Sequence, residues 1–175
     1  MNFAWYLRRL RRMEPSELAG RVNDQLLRSL WQIAPPDIAQ RAKSRLAPGP
    51  LTPRLKPLPS PAKAPRQAAE RLIQSADQIL AGRCRIFARD HEALGERPDW
   101  FVDARSGKRA PADIYAFAVP YRDEAAVGNI KYIWEPSRHH HLTMLASAYY
   151  LTSDERYARR VAEHLASWWR ENPFM

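Results

Sequence analysis

The chain has 175 residues, with 28 Lys or Arg against 19 Asp or Glu, a formal net charge of +9. Its 45% hydrophobic content and six Trp exclude a wholly disordered chain, and its single cysteine, Cys84, excludes an internal disulfide scaffold. No uncharged apolar run approaches the ~20 residues of a transmembrane helix. The charge is uneven: residues 1–66 hold 13 basic and 4 acidic side chains, whereas residues 67–175 hold 15 of each. A basic leader thus precedes a neutral body, which argues against a specific nucleic-acid-binding face spread over the fold.

The opening stretch, MNFAWYLRRLRRMEPSEL, is positive like a signal peptide but lacks the apolar segment that should follow, and this favours a cytoplasmic location. Leu7 and Leu10 beside Arg8, Arg9, Arg11 and Arg12 form a partial basic amphipathic helix ending near Met13. It reads either as a terminal helix with its arginines in water or as a weak contact with an anionic membrane through residues 1–12. Glu14-Pro15-Ser16-Glu17 starts a second helix, with Pro early and acids in the first turn. Leu18, Val22, Leu26 and Leu30 recur at helical spacing, Trp31 closes the run and Pro35-Pro36 ends it. A short, weakly patterned helix is expected over 37–46. Residues 47–65 carry seven prolines and no acid, so they read as an extended polyproline-like strap or linker. The expected organisation is a basic helical segment (1–46), the strap (47–65) and a helical body (66–175).

From Pro65, Ala69, Leu72, Ile73, Ala76, Ile79 and Leu80 line one helical face, and Gly82 stands where a left-handed cap belongs. Residues 83–87 alternate polar and apolar and suggest a short strand, with Cys84 as a small packing residue. Residues 90–130 read mostly as loop, with turn chemistry at Asp99, Asp103 and Ser106-Gly107 around a buried Trp100. Ser137 is placed to cap a helix over 138–151. Thr152-Ser153-Asp154-Glu155 has capping-box spacing before a last helix through Tyr157, Val161, Leu165 and Trp168, which Asn172-Pro173 stops. So short a link makes an antiparallel helical hairpin.

Chemistry concentrates in Trp134-Glu135-Pro136-Ser137-Arg138-His139-His140-His141. Three consecutive helical histidines point about 100° apart, so they cannot share one metal, and no His pair at i, i+4 accompanies them. No metal or cofactor is expected. Arg138 and His139 fall in a first helical turn behind a long loop, where backbone N–H groups favour an anion. Arg138 can hold a carboxylate or sulfate by two parallel hydrogen bonds, and Trp134 offers a flat face for a sugar ring. Phosphate or an internal Glu135 partner fits Arg138 equally. Asp99, Asp103, Asp123, Glu124 and Glu135 are carboxylates of the kind a glycosidase pairs, but no spacing singles out two of them.

The run from Lys131-Tyr132-Ile133-Trp134-Glu135 through Arg138-His139-His140, then Thr152-Ser153-Asp154-Glu155-Arg156-Tyr157-Ala158 and Trp168 to Asn172-Pro173, resembles the N-terminal region of heparinase II/III-like polysaccharide lyases. Ala76 to Gly82, Pro98-Asp99-Trp100, Asp103 and the opening Trp5-Tyr6-Leu7 follow the same order. Ser137 departs from the pattern, replacing an Asn common before the Arg. The resemblance implies a mainly α fold, a partial (α/α) toroid of antiparallel helical hairpins. The strap and a long loop region with a short strand or hairpin would accompany it, and an antiparallel β-sandwich domain would follow. It also implies β-elimination on acidic, uronate-containing glycans, whether glycosaminoglycan or alginate-like. There an Asn or His neutralises the carboxylate, a Tyr takes the C5 proton and a His protonates the leaving oxygen. Those positions are expected beyond residue 175, so no catalytic residue is assigned here and this fragment is expected to be inactive alone. Trp134, Glu135, Arg138 and His139 carry over as candidate substrate-binding residues. The alternative is a non-catalytic helical binding module with a basic membrane- or nucleic-acid-contacting N-terminus.

Overall fold

A computed structural model describes residues 12–37, 58–87, 89–91, 94–95 and 97–173. The basic opening (1–11), the weakly patterned helix from residue 38 on and the strap up to residue 57 lie outside the described residues. The described residues are mainly helical, with one pair of short strands, and fall into two compact units.

The first unit contains helix α1 (Pro15–Ile33) and Tyr115–Phe117. Proline stands in the first turn of α1, where a missing N–H costs nothing, and Glu17 pairs with Arg21 at 2.8 Å. Its charges cancel (Glu17 and Asp24 against Arg21 and Arg28), so the basic excess of the leader comes from outside this helix. None of its residues is buried, and Val22, Leu26, Leu30 and Ile33 are exposed. The Tyr115 hydroxyl donates to the Arg28 carbonyl at 2.8 Å, and the Arg28 guanidinium lies 4.3 Å from the centre of the Phe117 ring.

The second unit covers Pro50–Ile114 and Ala118–Pro173. A 3-10 turn (Pro61–Lys63) leads through Pro65 into α2 (Arg66–Leu80). This helix ends as its spacing predicts. Gly82 has φ 82°, its N–H donates to Ile79, and the Arg83 N–H reaches back to Gln78 at 2.8 Å. A Cβ at Gly82 would also come within 3.0 Å of the Gly95 backbone. Strands β1 (Cys84–Ile86) and β2 (Arg89–His91) pair antiparallel, Arg85 opposite Asp90. Helices α3 (Glu124–Val127) and α4 (Ile130–Trp134) follow, capped by the side chains of Asp123 and Asn129, then α5 (His140–Thr152) and α6 (Glu155–Glu171).

Helices α2, α5 and α6 share one core built of Ala76, Ile79, Leu142, Leu145, Ala148 and Tyr157. The Tyr157 hydroxyl donates to Asp77 at 2.8 Å, tying α6 to α2. Tyr149 meets Glu155, His141 meets His164 and Ser137 meets Trp168, so the chain leading through α5 and the chain of α6 meet in opposite order. A second, smaller cluster gathers Ala110, Val127 and Ile133.

Two local expectations change. Ser137 does not cap α5: residues 136–138 form a 3-10 turn, His139 takes a left-handed conformation (φ 60°), and the Ser137 hydroxyl instead accepts from Trp168 Nε1 at 3.2 Å. Thr152 is the last residue of α5 and donates to the Ala148 carbonyl. The cap of α6 is Asp154, which accepts from the Arg156 N–H at 3.0 Å. The stretch 90–130 is mostly loop, as expected, interrupted by β2's last residues, a 3-10 turn (Ala116–Ala118), α3 and the start of α4; elements of three to five residues are too short to show a period.

Candidate functional site

The loop between β2 and α3 is organised by two buried side chains. Trp100 is 2% exposed and Asp103 1%. The Asp103 carboxylate accepts from the Arg105 N–H (2.9 Å), the Ser106 hydroxyl (2.5 Å) and the Asn129 N–H (2.9 Å). Burial pushes its pKa up, but these hydrogen bonds, Ser106 first, outweigh burial and hold it below the usual carboxylate range. Gly128 (φ 77°) lets the backbone pass this carboxylate, since a Cβ there would lie 2.8 Å from the Asp103 Cβ.

Trp100 is surrounded by imidazoles: its ring centre is 5.9, 6.2 and 6.2 Å from those of His139, His141 and His164. Its Nε1 donates to the Ser167 hydroxyl at 3.0 Å, which in turn donates to Glu171 at 2.9 Å. His141 Nε2 and His164 Nδ1 share a hydrogen bond of 3.2 Å. Burial pushes the His141 imidazole down to about 3, with His164 adding to the effect. Burial, then the Arg160 charge, pushes His164 down to about 4. Both are therefore neutral near pH 7. Among the described residues, His139 Nδ1 and His164 Nε2 are buried with no hydrogen-bond partner. No group of three His, Cys, Asp or Glu among the described residues is placed to hold a metal ion. His164 occupies a core position of α6, seven residues after Tyr157 and three after Val161; that spacing marked it, but the sequence reading passed over it.

The four sequence candidates divide between this interior and the surface. His139 is half-buried, its ring 5.0 Å from that of Trp168. Trp134, at the end of α4, is 55% exposed and lies tilted 35° to Tyr121, ring centres 6.2 Å apart. Glu135 Oε2 is 3.4 Å from the exposed Arg138 Nε, the internal pairing that competes with any ligand anion. A shallow depression of about 640 Å³ opens beside Tyr121, lined by Val119–Glu124. Tyr121 and Arg122 were not singled out in the sequence, because an exposed aromatic in a loop carries no periodic signal.

The other reactive groups are committed to structure. Asp99 pairs with Arg109, Asp123 caps α3, and Glu124 accepts from the Asn129 amide at 3.1 Å. With Asp103 in its turn and Glu135 on Arg138, each of the five carboxylates considered for glycosidic chemistry has a structural partner. Burial pushes the Cys84 thiol up to about 11, so it is no nucleophile at neutral pH. Among the described residues, no helix is long and apolar enough to cross a membrane. The chain matches no protein-family profile, no curated protein and no solved structure.

Proposed function

We propose that this chain binds acidic, uronate-containing polysaccharide and forms the N-terminal part of a heparinase II/III-like lyase, with α2, α5 and α6 belonging to an (α/α) toroid of helical hairpins. The observation that carries this reading is the surface around Trp134: two tilted, solvent-facing aromatic rings beside the Glu135–Arg138 pair. An exposed Trp that contributes to no core in a well-packed unit has its apolar face available for a sugar ring, and Arg138 can exchange Glu135 for a ligand anion. His139 then acts from behind, fixing the turn that presents Arg138. In this reading β-elimination is carried out by residues other than these four, in a partner region that includes a β-sandwich.

Affinity electrophoresis on a panel of alginate, hyaluronan, heparan sulfate and neutral dextran tests the binding part. We expect retardation by at least one acidic polymer, and about a tenfold loss with Trp134→Ala. Binding unchanged in Trp134→Ala, or absent across the panel, overturns it. The lyase part requires a protein carrying this region together with its partner region to release products with the ultraviolet absorbance of an unsaturated uronate; a silent panel counts against it.

A further inference from the structure

The depression next to Trp134 lies outside the four residues proposed above. Its size falls within the range of small-ligand sites. Two acids stand on its wall, and both are tied down. Asp123 Oδ1 accepts from the N–H groups of Ala125 and Ala126 at 3.0 and 3.1 Å, and Glu124 Oε1 from the Asn129 amide. Two cations balance them. Lys108 Nζ is spent on the carbonyls of Glu124 and Ala125, at 3.2 and 2.7 Å. Arg122 is different: among the described residues it makes no ion pair or hydrogen bond, and its guanidinium lies only against the Tyr121 ring, 5.4 Å from its centre. Tyr121 in turn is tilted toward Trp134.

We propose that Tyr121 and Arg122 extend the Trp134 surface into a sugar subsite. In it the two aromatic rings cover the C–H face of one sugar residue, and Arg122 holds that residue's carboxylate or sulfate through paired N–H donors. The idea rests on the glycan-binding reading and adds to it the residue that selects for charge. A cation–π contact uses none of the guanidinium's N–H donors, so the Arg122 fork remains available to a ligand. Apart from Arg122 the net charge here is −1, Asp123 and Glu124 against Lys108, so holding a charged rather than a neutral sugar at this point falls to Arg122.

The test is calorimetric titration of the full chain with three oligosaccharides: oligogalacturonate (carboxylate only), a carrageenan oligosaccharide (sulfate only) and a dextran oligosaccharide (neutral). Arg122→Gln, Arg122→Lys and Trp134→Ala are compared, with urea midpoints recorded to exclude unfolding. We expect Arg122→Gln to weaken one charged ligand about tenfold and to leave dextran unchanged, with Arg122→Lys in between. The arm that responds identifies carboxylate or sulfate. If Arg122→Gln binds both charged ligands like the parent while Trp134→Ala is impaired, the subsite is wrong and the glycan reading stands. If Trp134→Ala is also unimpaired, both fail; if the parent binds none of the three, the subsite fails and the glycan reading is decided by the electrophoresis panel above.

Discussion

Asp103 concentrates more of the loop's order than any neighbouring side chain. Its carboxylate accepts from Ser106 and from the backbone of Arg105 and Asn129, while its own N–H donates to the Lys108 carbonyl at 2.8 Å. Replacing it by Asn puts an amide N–H₂ against donors, so Asp103→Asn should cost about 2–4 kcal/mol in urea unfolding. A loss below about 0.5 kcal/mol would mean the turn holds without its carboxylate. Half of this was legible in the sequence. Asp103 followed by Ser106-Gly107 is recognisable turn chemistry because those bonds are local. The bond to Asn129 spans 26 residues, and only the fold brings that N–H to the carboxylate.

At the scale of elements, the long amphipathic helices were the readable part. α2 repeats its apolar face over four turns and ends in a glycine whose φ of 82° most residues avoid. Boundaries were less readable where several capping residues compete. Thr152, Ser153 and Asp154 are all acceptable N-caps, and the choice is made by where α5 finishes. The structure gives the role to Asp154, whose carboxylate also grips Arg156 Nη2 at 2.7 Å. Asp154→Ala should therefore destabilise the protein by about 1 kcal/mol and Thr152→Ala by clearly less, compared by thermal unfolding. The reverse order would restore the capping box read from the sequence. The site followed the same division. Trp134, Glu135 and Arg138 stood out as an unusual run, whereas Tyr121 and Arg122 lie in a turn whose contact with Trp134 only tertiary structure creates.

For the molecule as a whole, the buried imidazoles link stability to pH. The folded state holds His141 and His164 neutral, pushed down to about 3 and about 4 from an ordinary 6.5, chiefly by burial. Below pH 6.5 the unfolded chain binds protons that the folded chain refuses. Their stabilising effect is thus complete above about pH 6.5 and declines as pH falls toward 4. The slope should approach about 1.4 kcal/mol per pH unit for each histidine. His164→Gln should remove about one proton from that slope when unfolding is followed across this range. An unchanged slope would place the acid sensitivity elsewhere. The turn at His139 joins this interior to the surface. One left-handed residue stands between the 3-10 turn that carries Arg138 and the helix that carries His141. A single such joint restricts which sequences can maintain the arrangement: Gly or Asn can keep the backbone path at this position, whereas Val or Ile would shift both the turn and the helix. Position 139 is therefore where an engineer could remove an imidazole without redirecting the chain, separating the contribution of the ring from that of the bend.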